Sequence, residues 1–300
     1  MSELPTPRII DLHSHWGTKR GWYGNPGNWF EPEGAAALEK LKKYFNWSGE
    51  LGTEEQMAED FRRSNVRAVL DLAYTTDMPM EDARHQHDYA FEVQRRYPDV
   101  ILGHWIKLHP TNPKSLDELK RCIQNRVEFI GFGMSVGGPI CTDPTYIPFV
   151  ELCIREQLPV LITTGMTGAG AGERGGFGYV LDDTHPRHID RLAATYPELT
   201  IIAARPSWPW QQEAIAMLLH KGNVWNELHG WSPKYYPPEL KREIGKRLQN
   251  KIMFGADYPM LSYERLRREW RAEGYTEEVI EKVFWKNAKE LLASVGITSA

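Results

Sequence analysis

Two histidines, two positions apart, are the clearest sign of chemistry in this 300-residue sequence. His13 and His15 end the first apolar, β-branched run, and side chains alternate along a strand, so both should point to the same side. Asp257 ends the last such run. Imidazole and carboxylate groups that converge can ligate zinc, or they can act as a general acid and base. This trio can do either chemistry if the fold brings the two ends of the chain together.

The elements that must position these residues are eight short apolar runs separated by stretches of helical periodicity. The runs span residues 9–15, 66–72, 100–108, 127–134, 159–164, 199–205, 223–228 and 251–257. Strands that alternate with helices must pair in parallel, because each connection crosses over before the next strand begins. Eight units predict a single (β/α)8 TIM barrel over residues 1–300, with the last strand beside the first. Active sites of such barrels lie at the carboxyl ends of the strands, where the trio falls.

Three connecting segments stand out in this scheme. Residues 16–52 form a connection that is too long and too aromatic to be a simple loop, and we expect it to cap the barrel mouth. Residues 165–178 hold seven glycines, which either make that loop flexible or bring its backbone close to a ligand. Residues 263–293 are predicted to be C-terminal helices.

Composition narrows the class of protein. The chain carries 36 Lys and Arg against 40 Asp and Glu, without the basic excess that is typical of nucleic-acid binding. Three widely spaced cysteines form no disulfide framework, which favours a cytoplasmic location. Because no apolar run approaches the length of a membrane span, we expect no membrane partner.

Several motifs together resemble one enzyme family. They are DLHSH (11–15), PVLITTGMTGAG (159–170), RPSWPW (205–210), GWSPKYYP (230–237), MFGADYP (253–259) and KNAKELL (286–292). The set resembles the amidohydrolase-related branch of the amidohydrolase superfamily, which includes decarboxylases of aromatic and muconate-type acids and several hydrolases. In the SWPW and GWSPKYYP segments the chain is similar to hydroxyphenyl β-ketoacyl-CoA hydrolases. The likeness runs from residue 9 to about residue 293.

The resemblance implies that His13, His15 and Asp257 are metal ligands or act beside a metal, with Asp257 as general base. Two other positions depart from the family pattern. Thr163 stands where the fifth strand usually carries a histidine, and Arg205 stands where the sixth strand usually ends in one. A guanidinium has only donors and a fixed positive charge, so Arg205 cannot ligate a cation.

These departures leave three alternatives open. A divalent metal, zinc or manganese, binds His13, His15 and Asp257, with His109, Glu227 or His229 as substitute ligands. Alternatively the site has no metal and works through its side chains, with Arg205 stabilising a carboxylate or an oxyanion. In the third alternative the barrel is inactive and only binds a ligand. Arg205 could instead be structural, paired with Glu173 or Asp257.

Aromatic residues after the sixth and seventh strands predict a pocket for a planar or apolar substrate. The expected substrate-binding residues are Arg205, Thr163, Trp208, Trp210, Trp231 and Tyr235. Lys107 ends the third strand, where it could point into the barrel, but we expect it at the solvent-exposed surface.

The sequence therefore predicts a hydrolase, or a hydrolase of C–C bonds, that acts on a cyclic or aromatic carboxylated compound or on a β-ketoacyl thioester. Asp257 would be the base, and the histidines would bind a metal or polarise the carbonyl. Non-oxidative decarboxylation is the alternative reaction. A small-molecule substrate is the expected partner, and the resemblance also suggests a homodimer.

Overall fold

A computed structural model of the protein describes residues 8–23, 31–71, 78–134 and 137–298. Eight parallel strands lie within these residues and pair in the order of the chain, β1 to β8. They are β1 Ile9–His15, β2 Val66–Asp71, β3 Ile101–Lys107, β4 Phe129–Met134, β5 Val160–Thr163, β6 Ile201–Ala204, β7 Val224–Glu227 and β8 Ile252–Met253. The predicted (β/α)8 barrel is confirmed, although several strands are shorter than the apolar runs.

Helices surround the strands. They are α1 Lys19–Tyr23, α2 Glu31–Phe45, α3 Glu54–Arg63, α4 Met80–Arg96, α5 Ser115–Asn125, α6 Ile147–Arg155, α7 Pro186–Thr195, α8 Gln211–His220, α9 Pro238–Ile244, α10 Tyr263–Ala272, α11 Glu277–Glu281 and α12 Asn287–Ser294. A π-helical turn, Lys282–Lys286, joins α11 to α12. Short 3₁₀ turns cover Pro144–Tyr146, Arg174–Gly178, Leu181–Thr184 and Pro233–Tyr235. None of the helices in the described ranges has the length and apolar character needed to cross a membrane.

Backbone hydrogen bonds between β1 and the segment after β8 bring the two ends of the barrel together. The amide of Leu12 donates to the carbonyl of Phe254 at 3.0 Å, and the amide of Asp257 donates to the carbonyl of His13, also at 3.0 Å. Asp257 is therefore fixed beside the β1 histidines by the backbone itself.

Large apolar side chains fill the barrel below its carboxyl end. Leu12, Val69, Trp105, Phe129 and Met253 belong to one buried cluster, and each is at most 1% exposed. The indole N–H of Trp105 donates to the carbonyl of Leu12 at 2.8 Å, so its one polar atom is satisfied inside the core. Each such side chain contributes about 1.5–3 kcal/mol by burial, which gives the site a rigid floor.

The aromatic connection after β1 contains two helices, α1 and α2, where the sequence predicted only a capping loop. Trp22, Leu38 and Leu51 form a separate apolar cluster with Met260. Met260 follows β8, so this cluster fastens the connection over the ends of the first and last strands.

Candidate active site

A buried carboxylate shapes the end of β1. Asp11 accepts hydrogen bonds from the amides of His13 (3.0 Å) and Ala256 (3.1 Å) and from the hydroxyl of Tyr263 (2.7 Å). The pairing of β1 with β2 shifts register between Asp11 and Ser14, as in a β-bulge. Asp11 thus ties β1 to the chain after β8 at the point where the histidines begin.

His13 lies between two carboxylates inside the barrel. Its Nε2 is 3.1 Å from Oδ2 of Asp71 and its Nδ1 is 3.3 Å from Oε1 of Glu227. The residue is 4% exposed. The carboxyl ends of β2 and β7 therefore hold this ring from both sides.

Lys107 also belongs to this cluster. Its Nζ lies 2.5 Å from Oδ2 of Asp71, and the residue is 9% exposed, so its expected surface position is wrong. Asp71 ends the neighbouring strand and supplies the partner that a buried ammonium requires. Sequence reasoning missed Asp71, although a polar residue that ends a barrel strand is a signal that could have found it.

His229 follows β7 and has a defined tautomer. Oε1 of Glu227 lies 2.6 Å from its Nδ1, and Nη2 of Arg205 lies 2.6 Å from its Nε2. Because a guanidinium can only donate, Nε2 is the acceptor and the proton is on Nδ1. The ring stacks on His13, with centroids 3.5 Å apart.

The two stacked rings have pKa values shifted in opposite directions. Burial opposes the charge on His13, but Glu227 and Asp71 outweigh it and raise the pKa of His13 to about 9. Burial lowers the pKa of His229 to about 3, with Glu227 opposing the shift and the charges of His13 and Arg205 adding to it. At neutral pH His13 is therefore the cation of the pair and His229 is neutral.

The second β1 histidine pairs with the predicted base. Nε2 of His15 is 2.9 Å from Oδ1 of Asp257, and the side chains are 17% and 8% exposed. Burial alone would raise the pKa of Asp257, but the hydrogen bond and charge of His15, with the charge of Arg205, hold that pKa below its usual range. Asp257 is thus a carboxylate at neutral pH.

Arg205 and Asp257 share an unusual backbone conformation. Their φ angles are 68° and 64°, in the left-handed region that non-glycine residues seldom adopt. The amide of Arg205 donates to the carbonyl of Glu227 at 2.7 Å, which fixes the turn after β6. Strain of this kind, of order 1–3 kcal/mol per residue, is concentrated at functional sites, and no pattern in the sequence predicted it.

Comparison with known proteins identifies the family. The sequence profile of the amidohydrolase family, Amidohydro_2, matches residues 10–293. The chain belongs to the amidohydrolase family. The resemblance drawn from its motifs is confirmed, and the chain is an enzyme of hydrolase or decarboxylase type. No curated protein gives a significant match.

Solved structures share the amidohydrolase barrel at low identity. An uncharacterized TIM-barrel protein from Bordetella bronchiseptica is 17% identical, with a TM-score of 0.73 over 96% of this chain and 99% of its own. The 2,6-dihydroxybenzoate decarboxylase from Rhizobium is 15% identical, with a TM-score of 0.69 over 97% of this chain and 100% of its own. The 5-carboxyvanillate decarboxylase from Novosphingobium aromaticivorans, solved with bound manganese, is 14% identical, with a TM-score of 0.65 over 96% of this chain and 97% of its own. At these identities the likeness shows the fold alone.

The two departures from the amidohydrolase pattern lie on neighbouring strands. Thr163 pairs in register with Ala204, which pairs with Glu227, so Thr163 is level with the site on the inner side of the barrel. Arg205 follows Ala204 and pairs with neither Glu173 nor Asp257 as an ion pair. Its hydrogen bond goes to His229 instead.

A large open cavity adjoins these groups. It has a volume of 1160 Å³, and its walls include three of the predicted aromatics, Trp208, Trp231 and Tyr235, together with Gly230. A Cβ placed on Gly230 would lie 3.4 Å from Oδ2 of Asp257 and 3.7 Å from Nη1 of Arg205. Gly230 is thus a wall residue that lies close to both charged groups, and its lack of a side chain leaves space beside them. Neither Asp257 nor Arg205 is itself a wall residue.

Two predicted residues lie elsewhere. Trp210 is absent from the cavity wall and packs on His185, with ring centroids 4.7 Å apart. His109 bonds to the hydroxyl of Thr111 at 2.8 Å and belongs to none of the candidate ligand groups among the described residues.

The described residues contain two groups of candidate metal ligands at this site. One is His13, His229 and Asp257, and the other is His13, His15 and Asp71, each with ligand atoms within 4.8 Å of one another. The predicted set of His13, His15 and Asp257 is divided between them. By type alone, these nitrogen and oxygen donors suit zinc or manganese.

The neighbours of these donors do not suit a divalent metal. Arg205 holds the only lone pair of His229, and Lys107 contacts Oδ2 of Asp71. A guanidinium and an ammonium this close to the donors would repel a dication and offset part of the negative charge that the carboxylates offer it. The residues present therefore do not fit the metal of the family.

Proposed function

We propose that the chain hydrolyses a cyclic or aromatic carboxylated compound, or a β-ketoacyl thioester, at the pair formed by His15 and Asp257. One observation carries the proposal. His15 holds Oδ1 of Asp257 at 2.9 Å, while Oδ2 faces Gly230 at the cavity, beside Arg205. A fixed carboxylate next to a fixed cation suits attack by water on a carbonyl group.

The proposed step uses side chains alone. Oδ2 of Asp257 takes a proton from water as the water oxygen bonds to the carbonyl carbon. Arg205 retains N–H donors beyond the one given to His229, and these stabilise the negative charge on the carbonyl oxygen. The C–O or C–S bond then breaks, and the leaving group receives the proton from Asp257.

His13 has a positioning role in this proposal. Both nitrogens of His13 face carboxylates, and its ring lies against His229. We therefore assign carbonyl polarisation to Arg205, and we assign to His13 the support of the hydrogen bonds that aim Arg205. Trp208, Trp231 and Tyr235 would contact the planar part of a small-molecule substrate.

Decarboxylation is the second candidate reaction. It is favoured by the structural likeness to two decarboxylases of aromatic acids, for 2,6-dihydroxybenzoate and 5-carboxyvanillate. In that case Asp257, held by His15, would take up a proton from water and pass it to the ring carbon as the C–C bond to the carboxylate breaks and CO₂ leaves, and the hydroxide left by the water would remain in solvent. Arg205 would bind the carboxylate before the reaction.

Turnover of a panel of cyclic and aromatic carboxylated esters, lactones and acids, with acyl thioesters, tests both reactions. We expect Asp257→Asn to lower kcat by roughly 100-fold or more, because general base catalysis contributes about 10²–10⁴-fold. The exposed Asp183→Asn is the matched control and should keep the rate. A new acid without CO₂ supports hydrolysis, whereas CO₂ without a new acid supports decarboxylation. An Asp257→Asn enzyme with the full rate would refute both assignments.

A further inference from the structure

We propose that two side-chain cations, Arg205 and Lys107, take the place of a resident divalent metal at this site, so that the enzyme works without one. The inference deepens the proposed function and rests on it only for the location of the reaction. Its evidence is that a side-chain cation already contacts one residue in each group of candidate ligands.

Arg205 prevents the first group of candidate ligands, His13, His229 and Asp257, from binding a metal together. His229 must present a lone pair to bind a metal, and it has one, on Nε2, because Nδ1 carries the proton held by Glu227. Nη2 of Arg205 lies 2.6 Å from that atom. A metal and a guanidinium cannot share one lone pair, so His13 and Asp257 lose their third partner.

Lys107 acts on the second group. Its Nζ is 2.5 Å from Oδ2 of Asp71, and the same oxygen is 3.1 Å from Nε2 of His13. A metal bound by His13, His15 and Asp71 would lie next to a buried ammonium. Because the residue is 9% exposed, water provides little screening of that repulsion.

The two cations can also supply what a metal would supply. Arg205 lies close to Gly230 of the cavity wall, as Asp257 does, so a substrate oxygen placed beside this glycine would meet its positive charge. Lys107 is not among the residues that line the cavity and acts through Asp71, so it is a positioning residue that keeps His13 in place. The exchange of histidine for arginine at the end of β6 thus becomes part of how the site works.

Metal binding by the purified wild-type protein tests the inference without any substrate. We expect elemental analysis after purification without chelator to find no stoichiometric transition metal. We also expect titration with Zn²⁺ or Mn²⁺, followed by calorimetry, to give no saturable binding that His15→Ala or Asp257→Asn abolishes. One equivalent of metal whose binding is lost in either variant would overturn the proposal.

Replacing Arg205 or Lys107 by a neutral residue tests whether these two cations are what prevents metal binding. Arg205→Met frees the lone pair of His229, and Lys107→Met removes the buried ammonium. Each should give saturable Zn²⁺ binding with a Kd at least about tenfold below the highest concentration at which the wild type shows none, tenfold being the scale on which neighbours of ligands change metal affinity. The exposed Lys246→Met is the control and should, like the wild type, show no saturable binding.

A folded Arg205→Met protein that binds no more zinc than the wild type would also overturn the proposal, and circular dichroism establishes the folded state. If Lys107→Met does not fold, Arg205→Met and the wild-type titration still decide the result. Since no measurement here uses substrate, a wrong reaction in the proposed function would leave these outcomes unaffected.

Discussion

Single side chains at this site take their properties from a few close partners. His13 and His229 are stacked, yet one has a pKa of about 9 and the other of about 3. The difference arises because two carboxylates face His13, whereas His229 faces one carboxylate and also a guanidinium. Glu227 contacts both rings and is therefore the residue that couples them.

Glu227→Gln should lower the pKa of His13 below 9, because it removes one of the two negative charges that raise it. Histidine chemical shifts in an NMR titration measure this change. In the wild type, His13 has a higher pKa folded than unfolded, so it stabilises the fold below about pH 6.5 and loses that contribution as the pH rises through 9. The variant should lose it at lower pH.

Exposed Glu290 on α12 provides the control for charge removal. Glu290→Gln should leave the His13 titration where it is in the wild type. A pKa of His13 that stays near 9 in Glu227→Gln would show that Asp71 alone sets it.

Strand ends decide where these side chains point. The register shift in β1 and the left-handed turns at Arg205 and Asp257 aim residues that regular strands would direct differently. Asp11 fixes the first of these features by accepting two backbone amides and a tyrosine hydroxyl. Its role is structural, although it lies in the same motif as the histidines.

Asp11→Ala should lower the free energy of unfolding by about 2–5 kcal/mol, because it leaves several buried donors without an acceptor and each costs about 1–3 kcal/mol. Urea denaturation measures this change. Asp183→Ala, on an exposed 3₁₀ turn, should stay within about 0.5 kcal/mol of the wild type. A loss below 1 kcal/mol in Asp11→Ala would contradict the role of Asp11 as a brace of β1.

At the scale of the whole molecule, the barrel separates core from site along its axis. Apolar side chains such as Trp105 fill the lower part, while the carboxyl ends of six strands supply the charged groups. Outside the barrel wall, the core between strands and helices also buries polar groups. His104 on β3 is 1% exposed and packs edge-on against Phe91 of α4.

The burial of His104 predicts how the stability of the fold responds to acid. Burial lowers its pKa to about 3, whereas the unfolded chain takes up the proton near pH 6.5. The folded pKa is depressed, so stability falls as the pH drops from 6.5 towards 3, by up to about 1.4 kcal/mol per pH unit for one proton. His104→Leu should make that decline shallower in urea denaturation at several pH values.

The exposed His220→Leu should keep the wild-type decline. The same pH dependence in His104→Leu as in the wild type would exclude His104 as a source of acid sensitivity.

Much of the architecture could be predicted from local patterns. The alternation of apolar runs and helical stretches determined the barrel, because each unit must cross over to start a parallel strand. It also placed His13, His15 and Asp257 at one end. The connection after β1 was predicted as a capping loop, and the sequence did not predict its helices α1 and α2, since their stability comes from packing on residues such as Met260 after β8.

The sequence by itself determined the family, the barrel and the residues that had changed within the site, because motif identity and strand order are local properties. Tertiary structure alone decided what those changes do. Contacts of Arg205 with His229 and of Lys107 with Asp71 join residues from β3, β2 and the segments after β6 and β7. Whether a donor atom is available for a metal depends on such distant partners, and spacing along the chain does not reveal them.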